Sequence, residues 1–295
     1  MTPHSPASGP RTRTPARRCR TALGAAAAAL AFGLAGCGTS GGEDSSAAPA
    51  PTAEAAGTSP GTEGTAPGPA DASPSTAAEE LSGLIVAVDP GHNGGNAEDA
   101  ATIGAQVPDG RGGTKACNTV GTSTDDGYAE HRFTWELATV LTERLEDAGA
   151  EVVLSRDSDD GVGPCVDERG AFAAEEEADV LVSLHANGSE DRSASGFHVI
   201  AAADGAAADD EAVAASQDLA GSLVTELEQQ GLDRNPAYGR VVERSDLATL
   251  NHAAVPAVML EAGEMRNADD AELLASSEGQ DRIAEAIVRT VSRLG

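Results

Sequence analysis

Five short apolar runs, at Leu84–Val88, Glu151–Leu154, Val180–Leu184, Phe197–Ala201 and Ala257–Leu260, alternate with stretches of helical periodicity. Runs of this length without regular polar alternation read as strands buried on both faces. Between the first two, Phe133, Leu137, Val140, Leu141, Leu145 and Ala148 recur at helical spacing from Glu130 onward, and Gly149 stops the pattern. Further helices are expected over Val166–Glu177, Glu211–Gln230 and Gln280–Leu294. The alternation predicts a single α/β domain whose mostly parallel, twisted sheet is flanked by helices on both faces. Residues 96–127, rich in Gly, Asp and Thr, read as an irregular flap.

That domain is expected over residues 81–295, and two segments of different composition precede it. Residues 1–36 hold five arginines, then an Ala- and Leu-rich run from Thr21 to Leu34, then LAG before Cys37. A charged region followed by a short apolar region has the layout of a secretory signal. LAGC resembles a bacterial lipobox, which would make Cys37 the acylated first residue; an ordinary cleaved signal is the plainer alternative. Residues 37–80 are almost wholly Gly, Ser, Thr, Ala, Pro and acid. Such a segment lacks the apolar surface to offset its ordering entropy, so it is expected to be a disordered tether reaching on the order of 35–40 Å.

Without residues 1–36 the chain keeps 14 basic residues against 48 acidic ones, a formal net charge of −34. Nucleic acid is thereby a poor partner, because its binding rests on cations facing phosphate. The two cysteines left in the domain, Cys117 and Cys165, are expected to form a disulfide after export. The competing reading, a zinc pair, lacks the CxxC partner that such a site needs.

Two strands deliver a histidine at the carboxyl end: His92 in IVAVDPGHNGG and His185 in LVSLHANG. Glu261 closes the strand AVMLE, and ligands of open α/β sheets sit outside the carboxyl ends of the strands. Glu130 stands three residues before Phe133 and seven before Leu137, on the inward face of its helix, where a carboxylate needs a positive partner or a metal. Two imidazoles and one carboxylate, with the fourth position left for water, form a recurring catalytic zinc shell. Zinc lowers the pKa of its bound water to about 7, and a carboxylate beside it can carry the proton to a leaving amine. Glu261 fits that base.

Each residue also has a plainer reading. A histidine at a strand end can be a bonded turn residue, Glu130 can cap its helix, and Glu261 can pair with Arg156 or Arg266. Asp89 either orients His92 or caps a turn. Arg156 and Arg169 either fix a substrate carboxylate or form structural ion pairs. His131 is the rival ligand, but it projects about 100° from Glu130 on the helix. His198 reads as a core or supporting histidine, and His252 as helical surface or substrate contact.

VDPGHNGG, the helix start at Glu130, LSRD, LVSLHANG, GFHVI and PAVMLEAGEMRN together resemble the zinc-dependent N-acetylmuramoyl-L-alanine amidases of the amidase_3 type. The resemblance covers nearly all of residues 84–294 and is closest to a short actinobacterial, mycobacterial-like subgroup. It implies that His92, Glu130 and His185 bind one Zn2+ and that Glu261 is the catalytic glutamate. The chain departs from the family in one respect, since 37 residues separate His92 from Glu130. The function implied is hydrolysis of the amide between N-acetylmuramic acid and L-alanine in peptidoglycan. A zinc peptidase acting on stem peptides and a noncatalytic wall-binding lipoprotein are the alternatives. The expected setting is the outer face of the cell membrane, with the protein a monomer held by a lipid anchor.

Overall fold

The computed structural model describes residues 80–205 and 210–295; the signal segment, Cys37 and the tether up to residue 79 lie outside the described residues. The chain runs β1 (Ile85–Pro90), α1 (Ala100–Ile103), β2 (Gln106–Pro108), β3 (Thr114–Ala116), α2 (Glu130–Asp147) and β4 (Glu151–Leu154). It continues through α3 (Val166–Glu175), β5 (Val180–Asn187), β6 (His198–Ala202), α4 (Asp210–Gln229) and β7 (Val242–Arg244). It ends with α5 (Ala248–His252), β8 (Ala257–Glu264), α6 (Ala268–Ala275) and α7 (Ser277–Val291).

Six strands form one sheet in the order β4-β1-β5-β8-β6-β7, and every neighbouring pair is parallel except β6 against β8. The near-continuous apolar strands are explained by cover on both faces. Val86, Val88, Val182 and Leu184 pack with Phe133, Leu137 and Leu141 of α2, and with Leu223 of α4 and Ile283 of α7. On the opposite face Ala87, Leu181 and Met259 pack with Ala173 of α3 and Leu250 of α5. Each large side chain fully buried this way stabilises the fold by roughly 1.5–3 kcal/mol.

The order of the strands sets where the site lies. From β1 the chain crosses by α2 to β4 on one side, then returns by α3, on the opposite face, to β5 on the other side. The direction of winding therefore reverses between β1 and β5, and a crevice opens there at the carboxyl ends. His92 follows β1 and His185 lies in β5.

The expected strands and helices are present, with shifted ends. β5 and β8 run three and four residues further than their apolar cores, which brings His185 and Glu261 inside the ladder. α7 begins before Gln280 because Ser276 caps it, its hydroxyl accepting from the Gly279 amide at 3.0 Å. The flap is less irregular than expected. It holds α1 and the two-stranded hairpin β2–β3, whose turn is closed by the Asp109 carboxylate accepting from the Arg111 and Gly113 amides at 2.8 and 2.9 Å. Three-residue strands carry too little alternation to be seen in sequence.

A disulfide joins Cys117, just after the hairpin, to Cys165, the N-cap of α3, across 48 residues. The Val166 amide also donates to the Cys117 carbonyl at 2.8 Å. Closing a loop of this length restricts the unfolded chain by about 4 kcal/mol in the chain-entropy treatment. Cys117→Ser with Cys165→Ser should lower unfolding free energy by up to that amount in denaturant titrations. A loss below about 1 kcal/mol would show that the unfolded chain gains little from the cut.

Candidate metal centre

The loop after β1 is shaped before any ligand arrives. His92 adopts φ 62°, in the left-handed region, an uncommon conformation for a residue with a Cβ. Two buried guanidinium groups hold the backbone there. Arg169 donates to the Pro90 and His92 carbonyls at 2.8 and 2.9 Å, and Arg156 donates to the same Pro90 carbonyl at 2.8 Å. Gly91 is required by a close approach, because a Cβ at that position would fall 2.3 Å from the His185 ring.

Glu130 is the first residue of α2 and is buried. Its Oε1 lies 3.1 Å from His92 Nε2 and 3.0 Å from His185 Nδ1, and accepts from the Ala186 amide at 3.2 Å. Its Oε2 accepts from the Thr122 amide at 2.9 Å. The imidazoles meet nearly edge to face, with ring centres 4.8 Å apart. One donor atom from each of His92, Glu130 and His185 lies within 4.8 Å of the others, so the three could hold a metal ion.

The donor chemistry tests that fit. His92 Nδ1 faces the Thr119 carbonyl at 3.1 Å, and a carbonyl can only accept, so the proton of that bond belongs to Nδ1. In a neutral ring Nε2 then turns a lone pair toward a carboxylate oxygen. Only a proton or a cation between them makes the contact favourable. A cation between the three donors would supply the missing positive charge, and imidazole nitrogen and carboxylate oxygen are donor types that suit zinc.

The charges respond accordingly. Burial pulls the His92 imidazole down, but the Glu130 carboxylate outweighs it and the net shift is upward. Burial raises Glu130, while attraction to His92 once that ring carries a second proton, with hydrogen bonds from both rings, prevails and holds it far below the usual carboxylate range.

Glu261 sits in β8 with His185 of β5 in register on one side and His198 of β6 on the other. It lines a cavity of about 460 Å³ together with His92, Glu130 and His185. Burial pushes its carboxyl well above the usual range, and repulsion from Glu130 and Glu264 adds to this, with Arg244 opposing. Its Oε2 is buried without a hydrogen-bond partner. Neither suggested partner reaches it, since Arg266 pairs with Glu190 and Arg156 with Asp159.

Asp89 makes no hydrogen bond to the His92 ring and meets that residue only through Arg169, which donates to the His92 carbonyl. Its Oδ1 accepts from Arg169 at 2.7 Å and from the Ser155 hydroxyl at 2.6 Å, and its Oδ2 accepts from the Ser183 hydroxyl at 2.7 Å. Burial raises this carboxyl, and Arg169 with the two serines brings it below normal. In this structure Arg169 is bonded to Asp89, Asn93 and main-chain carbonyls, and Arg156 to Asp159 and main-chain carbonyls. His131 turns to Asp159 at 2.8 Å, and His252 to the Pro108 carbonyl at 3.2 Å. His198 is buried and stacked on Tyr238 with ring centres 3.9 Å apart.

Sequence reasoning missed Thr119, whose contribution is a carbonyl and leaves no residue signature. It also missed Glu264, whose buried carboxylate accepts from Asn187 and Asn235 at 2.8 and 3.0 Å and braces the end of β5. The segment PAVMLEAGEMRN contains that second glutamate, and its spacing of three from Glu261 was the available signal.

Fold and site together define an α/β domain with a His–Glu–His group able to hold a metal at the sheet's switch point and a spare carboxyl group beside it. Residues 86–293 match the family described as N-acetylmuramoyl-L-alanine amidase (Amidase_3). The chain is 41% identical over 228 residues to N-acetylmuramoyl-L-alanine amidase Rv3717 of Mycobacterium tuberculosis, covering 76% of this chain and 91% of that protein. The crystal structure of the amidase Ami1 from Mycobacterium smegmatis is similar at 40% identity and TM-score 0.68, over 72% of this chain and 97% of that one. Ami1 from Mycobacterium abscessus gives 38% and 0.66, over 72% and 98%. This chain belongs to the N-acetylmuramoyl-L-alanine amidase family, and it is a hydrolase.

His198 yields a stability test. Burial, with a smaller contribution from Arg244, pulls its pKa from 6.5 to about 4. As pH falls below 6.5 the unfolded chain takes the proton first, so stability declines until pH approaches 4 and then levels off. The full effect is about 3 kcal/mol at most. His198→Phe keeps the ring stacking and should flatten this part of the curve in urea titrations at pH 5 and 7. Parallel curves for variant and parent would show that His198 is not the group responsible.

Proposed function

We propose that this chain cleaves the amide joining the lactyl group of N-acetylmuramic acid to L-alanine of the peptidoglycan stem peptide, with zinc bound by His92, Glu130 and His185. The convergence of these three side chains on one point, facing Glu261 across the same cavity, carries the reading. When bound, zinc supplies Lewis-acid activation of the water and of the scissile carbonyl. His92 and His185 donate ring nitrogens fixed by the loop after β1 and by β5, and Glu130 supplies the anionic ligand. Glu261 takes the proton from the attacking water and returns it to the amide nitrogen as the C–N bond breaks. The products are the lactyl carboxylate and a peptide with a free L-alanine amine.

The amino-terminal segments fit the same reading. LAGC supports acylation at Cys37 after removal of residues 1–36, and residues 37–80 serve as the tether that lets residues 81–295 reach the wall from the outer face of the membrane. The protein acts as a monomer.

Glu261→Gln should lower kcat by about 10²–10⁴-fold while zinc content stays at one per chain. Mass spectrometry of a muramoyl dipeptide digest should show peptide beginning at L-alanine, lost with a chelator and restored by zinc. Full activity of Glu261→Gln would remove it as the base. Cleavage elsewhere in the stem would make the protein a peptidase.

A further inference from the structure

The chain has a single lysine, Lys115, and it lines the cavity that contains the candidate metal ligands and Glu261. It lies in β3, opposite Val107 of β2, two residues before the disulfide at Cys117. The hairpin and the disulfide together hold its backbone at the cleft. Its side chain is half-buried, with Leu247, Ala248 and Met259 among the residues lining the same cavity.

Lys115 makes one direct hydrogen bond and no direct ion pair among the described residues. Its Nζ donates to the Asp246 backbone carbonyl at 2.7 Å, and no carboxylate lies within 4.0 Å among the described residues. The Asp246 carboxylate is committed elsewhere, accepting from Arg244 Nε and Nη2 at 2.7 and 2.6 Å. An ammonium carries three donors, so two are not used by this bond. Arg169, the other permanent cation of the lining, is spent on Asp89, Asn93 and the carbonyls of Pro90, His92 and Pro164. The Asp246 and Asp109 carboxylates attract Lys115 without pairing with it directly, so in a chain with 48 acidic residues this half-buried ammonium still has room for an anion from outside.

We propose that Lys115 determines specificity in this cleft by receiving a free carboxylate of the substrate's peptide, so that acidic stem peptides are taken in preference to their amidated forms. The inference rests on the amidase reading for its substrate, but its binding step can be read without turnover. A charge-assisted hydrogen bond of this kind contributes about 1.5–3 kcal/mol, which corresponds to roughly tenfold or more in affinity.

Because there is one lysine, protein labelled with carbon-13 at lysine Cε gives one side-chain signal. Titration with L-alanyl-D-glutamate should shift that signal saturably, and the diamide of the same peptide should not. Kinetics on N-acetylmuramoyl-L-alanyl-D-glutamate and its diamide should show Lys115→Gln losing about tenfold in the preference for the acid, with the loss in KM. Lys115→Arg should retain that preference. A silent signal, or equal shifts with acid and amide, overturns the proposal. So does a Lys115→Gln variant that loses both substrates alike, since that is the signature of a lysine that only anchors the hairpin to Asp246. If the lysine responds to the acid alone but no alanyl peptide is released, the carboxylate site stands and the amidase reading falls.

Discussion

A single carboxylate oxygen, Glu130 Oε1, receives the ring nitrogens of both His92 and His185. A buried carboxylate is costly unless compensated, and two neutral imidazoles cannot compensate it if the nitrogens facing it carry lone pairs. The Thr119 carbonyl decides this for His92 by claiming the proton on Nδ1. The centre is therefore built around a deficit of positive charge at one point. The Glu130 carboxylate accordingly drives His92 up against the effect of burial, attraction to a protonated His92 drives Glu130 down, and Glu261 is kept high by burial first and by the negative charge of Glu130 second.

A point of this kind is useful only if its walls hold still, and the buried cations provide for that. Arg156 and Arg169 converge on the Pro90 carbonyl at the end of β1, and Asp89 balances Arg169 while gathering Ser155 and Ser183 from the flanking strands. Breaking such a buried pair by removing one partner typically costs 3–5 kcal/mol, because the other charge is left without compensation. The arrangement fixes the left-handed backbone of His92 from below, while Gly91 leaves room for the His185 ring. Charge that resembles substrate-binding machinery in sequence is here spent on geometry.

That difference marks the limit of what the sequence discloses. His92, His185 and Glu261 were legible because each interrupts or ends an apolar run, and such runs fix both the strand and its carboxyl end. Glu130 was legible from helical phase alone, despite the long insertion before it. The partner of Asp89 was not, since Arg169 lies 80 residues away and only the packing of α3 against the sheet brings it back. The hairpin escaped notice because its strands have three residues each, and Thr119 because its role belongs to the main chain. Periodicity reveals elements and faces; it carries little about contacts between loops or about carbonyls.

The flap joins these two kinds of information. Its composition reads as loop, yet Cys117 ties it to the start of α3, the helix that also carries Arg169. One side of the flap thus supplies the carbonyl that sets the tautomer of His92, and the other brings the chain's only lysine to the same cavity. Because α3 holds both the disulfide and the guanidinium beneath β1, a displacement of the flap would be felt at the candidate metal ligands through two routes. A strongly acidic domain gains little from long-range attraction to an acidic peptide. It needs a local cation within the cleft, placed where the surrounding apolar wall lowers the dielectric and strengthens the contact. The covalent anchoring of the hairpin keeps that cation at the cavity it shares with the candidate metal ligands and Glu261.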